Sequence, residues 1–321
     1  MVSVPIVERA VIVSPPATFR SRLKKRVGPD IDGYGFLLPA IIIMLSLVAY
    51  PFCLAVWFSV SDAFVGEPAS YIGLENFIYI LIEDDIFLMT VWNTLLFAFW
   101  SVLFKVVLGL SCALLLQRIL KLKRFFRGSV LLPFVAPTAL STLGWWLILD
   151  PTYSHINWIL ANTWPFTMFG WGPYNFLGEP TLAMASVIFV NIWRGIPFFI
   201  ITILAGLMSI PEHLYDAAEI DGASTWRKFY SITLPLLRPV LAIIILFSTI
   251  FTLGEFNIIY VLTRGGPMNS THLFSTYSFT LGILNHEIAL GAAVALFLFP
   301  ILVVTVIILL RMVRRDTSHE L

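Results

Sequence analysis

Residues 216–235 read DAAEIDGASTWRKFYSITLP, a polar stretch between two long apolar segments. Ile210-Pro211 ends the segment before it, because proline cannot continue the hydrogen-bond ladder of a helix. Good helix formers predict a first short helix from Glu212 to Ile220, with acidic residues near its start, where the helix dipole favours them. Asp221-Gly222 predicts a bend, since glycine supplies the backbone freedom that a bend needs. A second short helix is predicted from Ser224 to Ser231.

Three residues after this second helix are predicted to change the direction of the chain. Leu234-Pro235 and Pro239 should redirect it into the next apolar segment. The whole loop, residues 209–238, would then be two short helices joined by a bend, an element that suits docking to a soluble protein. The alternative is an ordinary connector whose amphipathic helices rest on lipid headgroups.

The rest of the chain is dominated by apolar residues. Hydrophobic residues make up 59% of the 321 positions and charged residues only 12%, which is more apolar surface than a soluble fold can bury. A membrane-spanning helix needs about 20 residues, at about 1.5 Å each, to cross roughly 30 Å of hydrocarbon. An all-α membrane protein with six transmembrane helices is therefore predicted. The spans are placed near 34–60, 91–116, 129–149, 181–208, 239–262 and 288–310.

Lysine and arginine are distributed unevenly along this pattern. Seventeen of the 20 basic residues lie in the N-terminal segment, the loops after the second and fourth spans, or the C-terminal tail. The positive-inside rule makes that side cytoplasmic, and an even number of spans places both termini there. We expect a multi-pass protein of a bacterial or archaeal inner or plasma membrane. Residues 1–29 would form a cytoplasmic tail, and 30–321 the six-span domain.

Several classes of function lack their sequence signatures. There is no G-x-x-x-x-G-K-[ST] loop, so this chain is not expected to bind ATP itself. The five histidines are scattered without metal-ligand spacing, and Cys53 and Cys112 lie inside predicted spans, which argues against a disulfide or metal site. No nucleophile–base pair at helical spacing is evident. Catalytic and metal-binding residues are not expected, and the basic residues, being used for topology, do not indicate nucleic-acid binding.

The polar loop resembles the EAA loop of ATP-binding-cassette (ABC) importer permeases, which contains Glu-Ala-Ala, then a glycine, then Ile-x-Leu-Pro. Asp216 stands where that motif usually has glutamate, so the charge is kept on a shorter side chain. The residues that match in register, including three that are common rather than invariant in the family, are Ala217, Ala218, Asp221, Gly222, Ala223, Phe229, Ile232, Leu234 and Pro235.

The resemblance extends over about residues 34–312. Residues 73–77, GLENF, and 92–94, WNT, are similar to stretches before and at the start of the second span in carbohydrate-type permeases. Residues 263–271, TRGGPMNST, resemble the Thr-x-Gly-Gly-Pro segment after the fifth span in subunits of the maltose and glycerol-phosphate type.

This resemblance implies a type I ABC importer permease with the MetI-like fold. It also implies four kinds of partner: a second homologous permease, a dimer of ABC ATPases that uses ATP and Mg, an extracytoplasmic substrate-binding protein, and a carbohydrate substrate. The chain would bind no cofactor itself and would couple to the ATPase through residues 216–235. The coupling residues implied are Asp216, Ala217, Ala218, Glu219, Asp221, Gly222 and Ala223.

Polar side chains recur at helical spacing in the fourth and fifth spans. A charge near the bilayer centre costs about 2.5–3.5 kcal/mol on insertion scales, so such residues usually face protein or a wet cavity. Ser248, Thr252 and Glu255 share one helical face, and a second set at 191, 194 and 198 shares another. Two rings, at 193 and 251, lie nearby, whereas Lys105 alone does not make a site. The predicted substrate-pathway residues are Asn191, Arg194, Phe198, Ser248, Phe251, Thr252 and Glu255.

Other interpretations remain open at this point. The small polar residues could join helices to one another, and Arg194 could form a purely structural ion pair with Glu255. Arg194 could also bind the phosphate of a glycerol-phosphate-like polyol. At the level of the whole protein, the alternatives are a carrier driven by an ion gradient, for which inverted repeats and interrupted helices are expected and neither is evident in the sequence, and a scaffold or receptor that does not transport.

Overall fold

The computed structural model describes residues 31–118, 123–170 and 172–317, which are mainly helical. The predicted N-terminal tail, 1–29, lies outside the described residues. The α-helices, numbered in chain order, are α1 (Ile31–Met44), α2 (Tyr50–Ser59), α3 (Glu75–Ile82), α4 (Asp85–Arg118), α5 (Lys123–Val135), α6 (Thr138–Leu149), α7 (His155–Asn162), α8 (Pro180–Ser209), α9 (Glu212–Ile220), α10 (Thr225–Lys228), α11 (Leu234–Leu253), α12 (Asn257–Leu262), α13 (Phe274–Phe279) and α14 (Ile288–Thr317). Three π-helical segments occupy Leu45–Ala49, Phe229–Thr233 and Thr280–Leu284, and a short 3₁₀ helix occupies Phe166–Phe169.

The described residues divide into two compact units, with the boundary between Leu54 and Ala55. In the first unit, α1 is followed directly by the π-helical segment, and its large apolar side chains are exposed, with Phe36 87% and Leu47 71% exposed. The second unit contains every residue of the candidate site.

Within the described residues, five helices are long and apolar enough to cross a membrane, or six if a bent pair is counted as one span. These helices are Phe36–Ser59, Asp85–Arg118, Pro180–Ser209, Thr225–Leu253 and Ile288–Ile308, and the bent pair is Arg124–Val135 with Thr138–Leu149. Many large apolar side chains on them are exposed. Since exposing apolar surface to water costs about 25 cal/mol per Å², lipid is the solvent that these surfaces require.

The third apolar segment differs from the uninterrupted span that the sequence predicts over 129–149. The axis turns by 91° between Val135 and Thr138. Pro137 is the N-cap of α6, and the residue before a proline is driven away from helical geometry by a clash with the proline ring. The segment is therefore two helices that meet at Ala136-Pro137.

The fifth segment also differs from the prediction, because the prolines do not redirect the chain. A single helical segment runs from Thr225 to Leu253. It includes the π-helical turn Phe229–Thr233, directly before Pro235 near the start of α11. A wider turn accommodates a residue that has no N–H donor. The α-helix then ends at Leu253, nine residues before the predicted end at 262, and α12 follows after a break.

Helix α8 is held in the second unit by two clusters of buried side chains. Toward its end, Phe199, Ile203 and Leu207 pack with Leu237 and Ile244 of α11. Toward its start, Val187 and Val190 pack with side chains of α6 and α12. The two polar faces predicted on α8 and α11 are therefore parts of neighbouring helices.

Candidate functional site

A polar cavity of about 370 Å³ lies beside α8 and α11, within the range of roughly 300–1,000 Å³ that is usual for small-ligand sites. All seven pathway residues predicted from the sequence line it. It is lined by Lys105, Phe134, Asn191, Arg194, Gly195, Phe198, Phe199, Ser248, Phe251, Thr252, Gly254, Glu255, Phe256 and Asn257.

Lys105 is a lining residue that the sequence analysis did not assign. Its side chain is only 4% exposed, and Nζ donates a hydrogen bond to Oγ1 of Thr252 at 3.2 Å. It passes over Gly195, where an added Cβ would lie 2.6 Å from Cε of Lys105. The signal was present in the sequence, because a buried lysine in a span is costly unless it faces polar groups. The sequence does not reveal which residue pairs with Lys105, because that residue, Thr252, is 147 positions away.

Arg194 and Glu255 face each other across the cavity. Nη1 of Arg194 lies 4.0 Å from Oε2 of Glu255, and their side chains are 33% and 9% exposed. The other carboxylate oxygen, Oε1, accepts the backbone N–H of Ile258 at 3.1 Å. The carboxylate therefore stabilises the first turn of α12, where negative charge is favoured, while one oxygen stays directed toward the guanidinium group.

Two polar atoms of the cavity residues are buried without a hydrogen-bond partner among the described residues. They are Oδ1 of Asn191 and Nε of Arg194. An unsatisfied buried polar group costs about 1–3 kcal/mol. One acceptor and one donor are therefore left unsatisfied in the residues that line this cavity.

Aromatic rings form the apolar part of the wall. Phe134 and Phe198 are stacked, with ring centroids 6.2 Å apart and planes inclined by 18°. The ring of Phe251 is 72% exposed. Trp193 is not part of this wall: it contacts Trp145 edge-to-face, at 5.4 Å, and lines a different, apolar groove. Of the two rings expected near the polar faces, Phe251 therefore lines the polar cavity and Trp193 does not.

The predicted coupling loop is built around a bend at Gly222. Helix α9 begins and ends where the sequence predicts, and the N–H groups of Gly222 and Ala223 bond to the carbonyls of Glu219 and Ala218 at 3.0 and 2.8 Å. This is a Schellman motif, whose left-handed residue is usually glycine. Gly222 has φ +74°, and an added Cβ would meet nothing within 4 Å. Glycine is required here by the backbone angle and not by space.

Two side-chain contacts, which we call the braces, join the segments before and after the bend. Nζ of Lys228 donates to Oε2 of Glu219 at 2.9 Å, and this hydrogen bond lowers the pKa of the Glu219 carboxyl. The hydroxyls of Tyr215 and Thr233 are 2.9 Å apart. The first helix is therefore connected directly to the start of the long helical segment Thr225–Leu253.

None of the residues of α9 is buried. Asp216, Ala217, Glu219, Asp221 and Gly222 are exposed, while Ala218 and Ala223 are partly covered. At the end of the helix, Ile220 is 88% exposed. Helix α9 therefore contributes no buried side chain to the core of its own chain.

The other stretches that carry the resemblance all lie in the second unit. Nδ2 of Asn93 donates to the carbonyl of Asn269 at 3.1 Å, which joins the WNT stretch to 263–271. Within 263–271, the hydroxyls of Thr263 and Thr271 are 2.7 Å apart. Asn76, from the GLENF stretch, donates to the carbonyls of Ser59 and Ser61 at 2.9 and 2.8 Å.

Comparison with known proteins gives consistent results. A family model described as binding-protein-dependent transport system inner membrane component matches residues 105–317. The trehalose/maltose transport system permease protein MalF of Thermococcus litoralis is 36% identical over 288 residues, covering 88% of this chain and 95% of the relative. The sulfoquinovosyl glycerol transport system permease protein SmoG of Agrobacterium fabrum is 32% identical, with coverage of 87% and 89%.

A solved structure is similar over almost the whole fold. One chain of the crystal structure of a bacterial ABC transporter involved in the import of the acidic polysaccharide alginate superposes with a TM-score of 0.77. The sequences are 26% identical, and the match covers 92% of this chain and 99% of that one. The fold is thus the MetI-like fold of type I ABC importer permeases. This chain belongs to the family of binding-protein-dependent transport system inner membrane components.

Proposed function

We propose that this chain is one of two permease subunits of an ATP-driven importer of carbohydrates. The names of relatives support a carbohydrate substrate: trehalose/maltose and sulfoquinovosyl glycerol for two permeases, and alginate for the transporter of similar structure. The polar cavity supports it independently. Carboxylate, amide, hydroxyl and guanidinium groups bond to sugar hydroxyls, and aromatic rings stack on the C–H faces of sugar rings.

The observation that carries the proposal is the continuity between loop and cavity. The helical segment that begins at Thr225, beside the bend, reaches Thr252 in the cavity wall. That distance is about 40 Å at about 1.5 Å per residue. The braces at Glu219–Lys228 and Tyr215–Thr233 tie α9 to this segment, so that a displacement of α9 is transmitted to the cavity.

The proposed mechanism uses this connection as a lever. A separate pair of ABC ATPases grips α9, and closure of the ATPases around ATP moves the loop. The long segment moves with it and changes the side from which the cavity is open. Such coupling requires that the ATPases bind the two states with different affinities. The chain contributes the lever and half of the pathway, and the partner contributes ATP and Mg chemistry.

A second homologous permease would complete the pathway. The wall described above is open on one side: the Phe251 ring is 72% exposed, and the Arg194 side chain 33% exposed. A partner permease would cover these groups and add the facing wall. A substrate-binding protein would deliver the carbohydrate at the face formed by segments 61–90, 151–180 and 263–287. The loop and both termini would then be cytoplasmic.

Transport by the reconstituted complex tests the proposal. The purified assembly in proteoliposomes, supplied with its binding protein, should accumulate labelled trehalose, maltose or a related glycan only when ATP is present at the loop side. Collapse of the proton and sodium gradients should have no effect. Uptake that follows an ion gradient without ATP would identify a secondary carrier, and an intact assembly that moves no carbohydrate under any condition would favour a scaffold.

The second candidate substrate is a phosphorylated polyol. It is favoured by one specific feature: Lys105 and Arg194 give the cavity two cationic side chains against the single carboxylate of Glu255. Guanidinium groups suit phosphate. Competition of labelled sugar uptake by glycerol phosphate separates the two, because only a shared pathway allows competition.

A further inference from the structure

A second cavity, of about 660 Å³, lies where two candidate spans have their ends. It is formed by the last turns of Asp85–Arg118 and the first turns of Thr225–Leu253. Tyr215 of the coupling loop also lines it. We call it the boundary cavity; it shares no lining residue with the polar cavity described above.

The wall contributed by α4 changes from apolar to charged along the helix. Leu110 and Leu114 line the part that lies deeper in the span, and Gln117 and Arg118 line the end. From 110 to 118 the helix rises about 12 Å. An occupant that matches this wall has an apolar portion directed into the membrane and a polar head at its edge.

The opposite wall is aromatic and lies at the start of the long segment. Trp226 and Phe229 line the cavity, and the Trp226 ring is stacked on Tyr230, with centroids 6.2 Å apart and planes inclined by 22°. Tryptophan and tyrosine are enriched at the level of lipid headgroups. This aromatic wall is therefore expected at the headgroup level of the membrane, the same depth as the charged end of α4.

The charge at the cavity mouth is not balanced. Lys228 is paired with Glu219 at 2.9 Å. Arg118, in contrast, is exposed and has neither an ion pair nor a hydrogen bond with another described residue. One guanidinium charge is therefore available at the end of an otherwise apolar and aromatic groove.

We propose that the boundary cavity binds an anionic phospholipid, with its phosphate at Arg118 and its acyl region along Leu110 and Leu114. Basic pockets between helices at the membrane edge recognise anionic headgroups in this way. A soluble phosphate compound would leave the apolar wall uncovered. Since Tyr215 and Lys228 of the coupling loop line the same cavity, the lipid contacts the element that the proposed mechanism moves. The inference rests on the proposed function only in assigning this edge to the cytoplasmic leaflet.

Lipid retention by the full-length chain tests the proposal without any transport assay. The protein in detergent is equilibrated with equimolar phosphatidylglycerol and phosphatidylcholine and analysed by native mass spectrometry. We expect preferential retention of phosphatidylglycerol. Equal retention of both lipids, or complete displacement of the bound lipid by inorganic phosphate, would overturn the proposal.

Two variants locate the site. Arg118→Gln should lower phosphatidylglycerol retention by about fivefold, the effect of about one basic residue at a lipid surface, while Arg311→Gln should not, because Arg311 is exposed at the end of α14 and does not line the cavity. Ser111→Phe, which fills the cavity and leaves every charge in place, should lower retention of both lipids. If Arg118→Gln and Arg311→Gln behave alike, or if Ser111→Phe retains lipid as the unaltered chain does, the site is elsewhere.

Retention by the isolated chain and transport by the assembly give independent answers. An assembly without carbohydrate uptake whose permease still selects phosphatidylglycerol through Arg118 would contradict the proposed function and keep the lipid site. An active importer whose permease retains phosphatidylglycerol and phosphatidylcholine equally would support the proposed function and contradict the lipid site.

Discussion

The ammonium group of Lys105 bonds to the hydroxyl of Thr252 at 3.2 Å, and so connects α4 to the end of α11 at the polar cavity. This contact joins α4, in which the sequence predicted no pathway residue, to α11, which carries part of the predicted pathway face. The lysine side chain is 4% exposed, so its charge is directed at the cavity and not at lipid.

Removing this contact should reduce transport without dissociating the complex. Thr252→Val is expected to lower ATP-dependent uptake by about tenfold, the effect of losing about 1.4 kcal/mol of transition-state stabilisation. Thr249→Val is the matched control, because its hydroxyl bonds to the carbonyl of Ile245, at 2.7 Å, on its own helix and outside the cavity. Equal loss of uptake in both variants would mean that the Thr252 hydroxyl stabilises its helix and has no specific role in transport.

The pair Arg194–Glu255 should matter more for transport than for folding. The groups are 4.0 Å apart and Arg194 is one third exposed, so the ion pair is expected to contribute only about 1 kcal/mol to stability. Glu255→Gln keeps an oxygen that can accept the N–H of Ile258 and removes the charge. We expect uptake to fall by about tenfold while the melting temperature of the complex stays nearly unchanged. A large drop in melting temperature with normal uptake per folded complex would make the pair structural.

Gly222 should be sensitive because of its backbone angle alone. At φ +74°, any side chain costs about 1–2 kcal/mol, so Gly222→Ala should loosen the bend and reduce the uptake gained per ATP hydrolysed. Gly128 offers the control: it also has open space around its Cβ position but an ordinary φ, and Gly128→Ala should be neutral or slightly stabilising. Unchanged coupling in Gly222→Ala would contradict the role given to this bend.

Segment 263–287 should weaken as the medium becomes acidic. His272 is 5% exposed, and burial lowers its pKa from 6.5 to about 4. As the pH falls, His272 is therefore protonated in the unfolded segment before it is protonated in the folded one. Stability is full above about pH 6.5, is lost as the pH falls from 6.5 to about 4, and changes no further below that, for a total of about 3 kcal/mol.

Hydrogen exchange of this segment in the assembled transporter measures the effect. Protection should fall between pH 7 and pH 5 in the unaltered protein and in His286→Gln, whose exposed histidine is the control, but not in His272→Gln. A pH dependence that survives in His272→Gln would assign it to other groups.

Local signals in the sequence were sufficient for several elements but not for the bend at Ala136-Pro137 or the early end of α11, and long-range pairing was not accessible to them. Glu212–Ile220 could be placed because Pro211 and Gly222 mark its two ends, and the cavity faces could be placed because helical periodicity is a local property. The contact of Lys105 with Thr252, the edge-to-face packing of Trp193 on Trp145, and the continuous helix through Pro235 depend on neighbours. A proline can either end a helix or be accommodated within it. The π-helical turn Phe229–Thr233 accommodates Pro235, so the helix continues.

The absence of any buried residue in α9 has a consequence for how the surface of this loop can change. A nine-residue helix that contributes nothing to the interior of its own subunit can exchange its surface side chains at little thermodynamic cost to the membrane domain. The bend at Gly222 and the two braces depend on particular residues. If the ATPases bind α9 as proposed, their surface of contact can change separately from the substrate pathway, because no residue of α9 lines the polar cavity.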